Sequence, residues 1–205
     1  MINKIKIKLL QNLTPELKNK IKIQINEFEK IKNSNNATWF NELCFCLLTA
    51  NSKAETAIKI QIEMLPDDFQ KKTQTEIAAV IKKHGHRFHN IKSVYIFSAR
   101  KFIAIRETLQ KMSSFDAREF LVKNIKGLGY KESSHFLRNV GRNDVAIIDR
   151  HVLRFLKNEN LINEIPKTIS KKMYLEFEKI LQNFKIPQSE LDLIIWSNMT
   201  GKVLK

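Results

Sequence analysis

Gly127-Leu128-Gly129-Tyr130-Lys131 sets an amine two residues past a glycine pair, and Asp149 follows after the apolar run Val145-Ala146-Ile147-Ile148. A Gly-x-Gly turn that opens a helix offers bare backbone N–H groups and a positive helix end, which together hold a phosphate. A lysine in the first turn of that helix sits against its preferred dipole end, where burial and the helix charge lower its pKa from about 10.4. Such an amine is a nucleophile, and with a carboxylate beside it can attack an electrophilic sugar carbon to form a Schiff base. The plainer alternative is that Lys131 touches a phosphate and Asp149 caps the helix beginning at Arg150.

Other phosphate motifs do not fit. The pattern G-x-G-x-x-G fails at Glu132 with no βαβ unit around it, and the G-x-x-x-x-G-K spacing is absent. Helix, Gly-hydrophobic-Gly, helix in a basic chain reads as a helix-hairpin-helix that grips a nucleic-acid backbone without reading sequence. Charge agrees: 36 Lys and Arg against 21 Asp and Glu leave a net +15 in 205 residues, a field suited to a polyanion.

The elements that must carry these residues are expected to be all-α. Five Gly and four Pro are too few for a β-sandwich or a loop-rich chain. Thr14-Pro15-Glu16 opens a helix whose stripe runs through Leu17, Ile21, Ile25, Phe28 and Ile31 and ends in Asn33-Ser34-Asn35-Asn36. A second helix carries Trp39, Phe40, Leu43 and Leu47. Further helices are expected over 54–64, 75–83 (stopped by Gly85), 91–104 and 115–125 (capped by Ser114), with a final pair beginning near Ser170 and Ser189. The longest apolar runs, such as Leu193-Ile194-Ile195-Trp196, fall far short of the roughly 20 residues that span a bilayer, so no membrane partner is expected. Lys4, Lys6 and Lys8 break any signal-peptide pattern. Cys44 and Cys46 cannot alone ligate a structural zinc or an iron–sulfur cluster and are read as reduced core residues of an intracellular protein. His84, His86 and His89 lack a nearby carboxylate and make a poor metal site.

The hairpin and the run ending in Asp149-Arg150-His151 resemble the helix-hairpin-helix DNA glycosylases. Further segments narrow the resemblance: Phe40-Asn41-Glu42-Leu43-Cys44-Phe45-Cys46 with Leu48-Thr49-Ala50-Asn51, Gly85-His86-Arg87-Phe88, Ser134-His135-Phe136-Leu137-Arg138-Asn139, and Thr200-Gly201-Lys202-Val203-Leu204-Lys205. Together they resemble the type-2, archaeal-type 8-oxoguanine DNA glycosylase/AP lyases along nearly the whole chain. The resemblance implies two helical subdomains around a DNA-binding cleft. Residues 37–144 would form a helical barrel carrying the hairpin, and the N-terminal helices of residues 1–36 would pack with a C-terminal subdomain of residues 145–205.

It also implies roles. Lys131 would displace the damaged base and keep the sugar as an imine, β-elimination then nicking the strand, while Asp149 on the opposite lip stabilises positive charge at the sugar. A flipped-out base needs stacking walls, here Phe88 and Trp196, although Trp196 could equally be core. Lys205 would close the pocket, its carboxylate beside the base, with Val203 and Leu204 anchoring the end by burial. Asn51 would fill the gap left in the duplex, or else simply cap a helix. Gly127, Gly129, His135 and Arg150 would contact DNA, His135 and His151 as phosphate or supporting groups. Backbone carbonyls of Lys123, Ile125 and Leu128 would hold a structural monovalent cation. No iron–sulfur cluster is expected, because the four-cysteine motif of the endonuclease III branch is missing. The expected substrate is double-stranded DNA bearing 8-oxoguanine or abasic sites, acted on by a monomer in the cytoplasm on the nucleoid. The alternatives are a non-catalytic helix-hairpin-helix module, which would gain nothing from a desolvated lysine, and a glycosylase for another damaged base.

Overall fold

The computed structural model describes residues 1–65 and 67–205, and every regular element among them is helical. Two helices come first, α1 (Ile2–Gln11) and α2 (Pro15–Lys32). The central part of the chain folds as α3 (Asn36–Thr49), α4 (Ala54–Glu63), α5 (Asp68–Lys71), α6 (Gln74–Lys83), α7 (His89–Ala99), α8 (Ile105–Leu109), α9 (Ser114–Asn124) and α10 (Tyr130–Asn139). Three helices close it: α11 (Arg150–Asn158), α12 (Lys171–Gln182) and α13 (Gln188–Thr200).

Apolar side chains gather into two clusters. One runs from Trp39 to Val145 and centres on α3, buried from Trp39 through Thr49 because its apolar residues face every direction, as a helix enclosed by others requires. The other joins residues 5–28 to residues 146–195, so α1 and α2 pack on the last helices rather than on their sequence neighbours. The changeover falls between Val145 and Ala146. Cys44 and Cys46 are unpaired and lie wholly inside the first cluster, where burial pushes both thiols well above their ordinary pKa.

Several helix ends follow the expected chemistry. Thr14 accepts Leu17 N–H at 3.2 Å, Asn35 accepts Thr38 N–H at 3.0 Å, and Ser170 accepts Met173 N–H at 3.3 Å. Gly85 stops α6 in the left-handed region at φ +72°. Others differ. The cap of α9 is Ser113, whose hydroxyl accepts Asp116 N–H at 3.1 Å, while Ser114 is buried in the first turn; two adjacent serines cannot be told apart by residue type. The helix expected over 91–104 ends at Ala99 in a 3-10 turn, Arg100–Phe102. There the Arg100 guanidinium is drawn to the carbonyls of Phe69 and Lys72 at the end of α5. Pro187, not Ser189, precedes α13, and Ser189 lies buried in its first turn.

A bidentate ion pair fastens the hairpin to the C-terminal helices. Arg118 on α9 donates to both carboxylate oxygens of Glu178 on α12, at 2.7 and 2.8 Å, with both side chains almost fully buried. The rings of Phe115, Tyr130 and Tyr174 surround the guanidinium at 5.4–5.5 Å.

Candidate active site

Helices α9 and α10 form the hairpin. Ile125 turns to extended backbone (φ −111°, ψ 105°) and ends α9, and its carbonyl then accepts Leu128 N–H at 3.2 Å. The two glycines do different work. Gly127 has φ +99°, and a Cβ there would stand 2.4 Å from the Tyr95 ring, so only glycine fits. Gly129 is extended at φ −96° and serves as the N-cap of α10, without a side chain to occupy the amides that follow. Amides left without a side-chain cap at a helix N-terminus suit an anion.

Lys131 occupies the second position of α10. Its Nζ lies 3.3 Å from Glu132 Oε1 and its side chain is 34% exposed, so the amine opens onto solvent in the cleft rather than being desolvated as expected. The buried lysine of this region is one that spacing did not single out. Lys92 on α7 is 4% exposed and donates to the Leu47 carbonyl at 2.5 Å. Burial lowers its pKa to about 8, Glu132 opposing the shift and Lys131 reinforcing it.

Asp149 comes from the other side. The run Val145–Ile148 pairs with no strand, and side chains satisfy its backbone instead. Ala146 N–H donates to Glu178 at 2.7 Å, Ile148 N–H to the Tyr174 hydroxyl at 3.2 Å, and that hydroxyl lies 2.8 Å from the Ala146 carbonyl. So held, the run delivers Asp149 to the start of α11, where Oδ1 accepts Val152 N–H at 2.8 Å. The capping role is therefore present, and it employs one carboxylate oxygen of two.

Lys131 and Asp149 line one cavity of about 240 Å³ with His135, Trp196 and Lys205. They also line an adjoining cleft of about 320 Å³ with Asn51, Glu132 and Arg150. Trp196 is not core. Leu193, Ile194 and Ile195 are buried, whereas Trp196 turns its half-buried ring into the cavity, 4.3 Å from the His151 ring and steeply inclined to it. His135 is a buried cavity residue rather than a surface phosphate contact, packed edge-on to Phe45 at 5.6 Å. Burial pushes its pKa well down, and the charges of Arg138 and Lys131 push the same way, so the ring is neutral. Among the described residues, His135 Nε2, His151 Nδ1 and Trp196 Nε1 have no hydrogen-bond partner.

Asn51 is exposed just past α3 with φ +59°, a helix-terminating conformation at the mouth of the cleft. Arg150 is exposed on the first turn of α11. Leu204 lines the cavity and Val203 packs on the second apolar cluster, each half-buried. Phe88 lines neither cavity: its half-buried ring stands edge-on to His86, with the Arg87 guanidinium 4.4 Å above it. His86 fixes this loop, its Nε2 lying 3.0 Å from the Leu48 carbonyl and its Nδ1 accepting Phe88 N–H at 3.1 Å. Burial lowers the His86 pKa, which suits a neutral ring that donates from one nitrogen and accepts at the other. His84 pairs with Glu63 at 2.7 Å, and no group of three or more metal-ligating side chains occurs among the described residues.

Two cavity residues were not singled out from the sequence. Arg138 and Asp192 form a close ion pair in its wall. Burial raises Asp192 to about 6, with Arg138 pulling it back and Asp149 pushing it further up. Only the fold makes them neighbours, so no spacing rule finds them.

Comparison with known proteins places this geometry. A family model described as 8-oxoguanine DNA glycosylase matches residues 21–189. A Methanocaldococcus jannaschii protein named 8-oxoguanine DNA glycosylase/AP lyase is 51% identical over 205 residues, 98% of each chain. The crystal structure of the M. jannaschii 8-oxoguanine glycosylase/lyase in complex with a 15mer DNA containing 8-oxoguanine superposes with a TM-score of 0.93 at 49% identity, covering all of both chains. That of the Thermotoga maritima 8-oxoguanine DNA glycosylase gives 0.91 at 38% identity, again over both whole chains.

Proposed function

The chain belongs to the 8-oxoguanine DNA glycosylase family with a helix-hairpin-helix, and on that premise we propose how its residues divide the family's two reactions, excision of 8-oxoguanine from DNA and cleavage at the resulting abasic site. Lys131 is the nucleophile of both. Its Nζ attacks C1′ of the flipped nucleotide, the N-glycosidic bond breaks, and the base departs with the bonding electrons. The Lys131 ammonium first gives a proton to Glu132, 3.3 Å away, so that a neutral amine attacks, and the proton released on attack goes to the departing base. Sugar ring opening gives a protonated imine to Lys131. Loss of a C2′ proton then expels the 3′ phosphate, and water hydrolyses the imine to free the lysine. Asp149 stabilises the cationic sugar with the oxygen not committed to Val152.

The observation that carries this reading is the meeting of Lys131 and Asp149, from elements of the two clusters, in one cavity also bounded by Trp196 and Lys205. Trp196 stacks on the extruded base. Phe88 lines neither cavity of the free chain and becomes the opposing wall only with DNA bound, a reading supported by its loop being tied through His86 to the last turn of α3, whose Thr49 borders the cavity. Asn51, at the cleft mouth, enters the duplex gap, and the amides after Gly127 and Gly129 with Arg150 hold the backbone. The end of α9 carries the negative pole of its helix, which favours a monovalent cation on the carbonyls of Lys123, Ile125 and Leu128; Ile125 would share its oxygen with Leu128 N–H. A single chain encloses the cavity, which supports a monomer, and the basic charge of +15, suited to DNA, supports work on the nucleoid in the cytoplasm.

The test is incubation with duplexes carrying 8-oxoguanine, guanine or an abasic site, with borohydride to trap the imine. Excision and a trapped adduct are expected with 8-oxoguanine, and Lys131→Gln is expected to abolish both while leaving duplex binding nearly intact. Trapping that persists in the variant would move the nucleophile elsewhere.

A further inference from the structure

Glu42 is a carboxylate on the most apolar helix of the molecule. It sits between Phe40 and Leu43 on α3 and is 4% exposed. A buried carboxylate is unfavourable unless its oxygens are paired, and here they are. Oε1 accepts Gln61 Nε2 at 2.9 Å and Lys205 Nζ at 2.6 Å, and Oε2 accepts Asn139 Nδ2 at 2.9 Å. The amides of Gln61 and Asn139 ask only for an acceptor, which a neutral side chain also supplies. Lys205 alone among the three brings a full charge.

The network has a direction. Asn139 Oδ1 accepts Arg138 Nε at 3.2 Å and a terminal guanidinium nitrogen at 2.9 Å, and Arg138 pairs with Asp192. Arg138, Asp192 and Lys205 all line the cavity. The chain of contacts therefore leaves the cavity wall at Asp192, passes through Glu42 behind it and returns to the wall at Lys205. Residues 201–205 have no helix or strand to hold them, so side chains must. Val203 packs on the second apolar cluster, while the Lys205 ammonium, on Glu42, also lies 4.5 Å from the Phe45 ring centroid, one helical turn further along α3.

We propose that Glu42 is a positioning residue for base excision: by receiving the Lys205 ammonium it holds the 201–205 segment in place as one wall of the base cavity. The proposal rests on the reading of Lys205 as a base-pocket residue. It assigns Glu42 no contact with substrate, so its effect must pass through Lys205 and must spare a reaction that needs no base pocket.

A double-mutant cycle tests this, with Glu42→Gln, Lys205→Met and the double variant assayed on a duplex with 8-oxoguanine and on one with a ready-made abasic site. Each single variant is expected to lower kcat/KM for excision by about 10-fold to 100-fold, the scale of a misplaced active-site wall. Abasic-site cleavage should change by less than about threefold, and the double variant should be no worse than Lys205→Met alone. Lys205→Arg, which keeps the charge, should retain most excision. Additive losses, or a parallel fall in both activities together with the melting temperature, would overturn the proposal. So would normal excision by Glu42→Gln alongside impaired Lys205→Met. Normal excision by Lys205→Met would instead remove the base-pocket reading on which the proposal rests. Should Glu42→Gln fold poorly, Glu42→Asp, which keeps the charge but draws it back from Lys205, is read instead, with loss of excision and spared abasic-site cleavage expected and unchanged excision overturning the proposal.

Discussion

Arg118 and Glu178 face each other as two parallel hydrogen-bonded pairs, at 2.7 and 2.8 Å, with 1% and 3% of their side chains exposed. One belongs to the hairpin and the other to α12, and Glu178 also accepts Ala146 N–H on the run that delivers Asp149. The pair thus sets the hairpin that carries Lys131 in register with the run that carries Asp149. Removing one partner leaves a buried unpaired charge, so Glu178→Gln is expected to cost about 3–5 kcal/mol. Urea titration at neutral pH measures it, and Arg118→Met with Glu178→Leu together should recover much of the loss. A single variant as stable as the parent would show that the pair is dispensable.

Substitution can separate the observed cap at Asp149 from the charge-stabilising role proposed for it. Asparagine caps a helix as well as aspartate does, so Asp149→Asn should keep the melting temperature while lowering turnover by about 10² or more, as for a lost charged catalytic group. Asp149→Ala should lose the activity and also about 1 kcal/mol of stability with the Val152 N–H bond. Near-normal turnover by the asparagine variant would reduce Asp149 to its cap.

The glycines should respond unequally. Gly127→Ala meets both a positive φ and the Tyr95 ring at 2.4 Å, and is expected to cost at least about 2 kcal/mol and to weaken DNA binding. Gly129→Ala meets only the mobile end of Glu132 at 3.3 Å, and should stay within about 1 kcal/mol. Thermal melts and duplex titrations of the two variants are the check, and equal effects would contradict the turn geometry.

Much of the hairpin and the Lys131–Asp149 pairing was legible because a glycine pair, an apolar run and a cap are local signals. Trp39, Phe40, Leu43 and Leu47 likewise marked a helix, with Cys44 and Cys46 read as core. The rest depends on what lies beside what. Lys92 reads like any other of the 36 basic residues until the fold places it over the Leu47 carbonyl. Arg138 and Asp192 sit on α10 and α13, and Glu42 and Lys205 at nearly opposite ends of the chain, so no window contains either pair. Alternating lysines at positions 4, 6 and 8 blurred the bounds of α1 within the helices expected over residues 1–36, its buried residues being Ile5 and Leu9, one turn apart.

Binding should be governed by phosphate contacts. With a net charge of +15 and the hairpin amides exposed, log K is expected to fall linearly with log salt at about 0.9 per neutralised phosphate. Arg150→Ala, removing one exposed cation at the cleft, should reduce that slope by about one phosphate equivalent. Fluorescence anisotropy over a salt series measures both, and a flat response would contradict the arrangement.

Asp192 gives a pH signature. Its folded pKa, about 6, lies above the ordinary carboxylate value of 3.8, so the native state keeps this proton longer than the unfolded chain. The stability it contributes is full below about pH 4 and is lost as pH rises through about 6, an effect of up to about 3 kcal/mol. Denaturation of the parent and Asp192→Asn across pH 4–7 should show the parent losing ground over this window. A difference independent of pH would place the titration elsewhere.

The second apolar cluster joins buried residues of 5–28 to those of 146–195, while the buried residues of the first lie within 39–145, with Ile31 of α2 packed against them. The two halves therefore differ in how far the chain must search to close them. The barrel can condense from nearby segments, α6 on α7 and α9 on α10, while the other half must wait for α13 to return to α1 and α2. During synthesis the helices of the first cluster can thus gather while Arg118 on the hairpin still lacks Glu178, and before the wall bearing Trp196 exists. On the role proposed for Trp196, a partly made chain would have no base pocket to close, and excision would be the last property the molecule acquires as it folds.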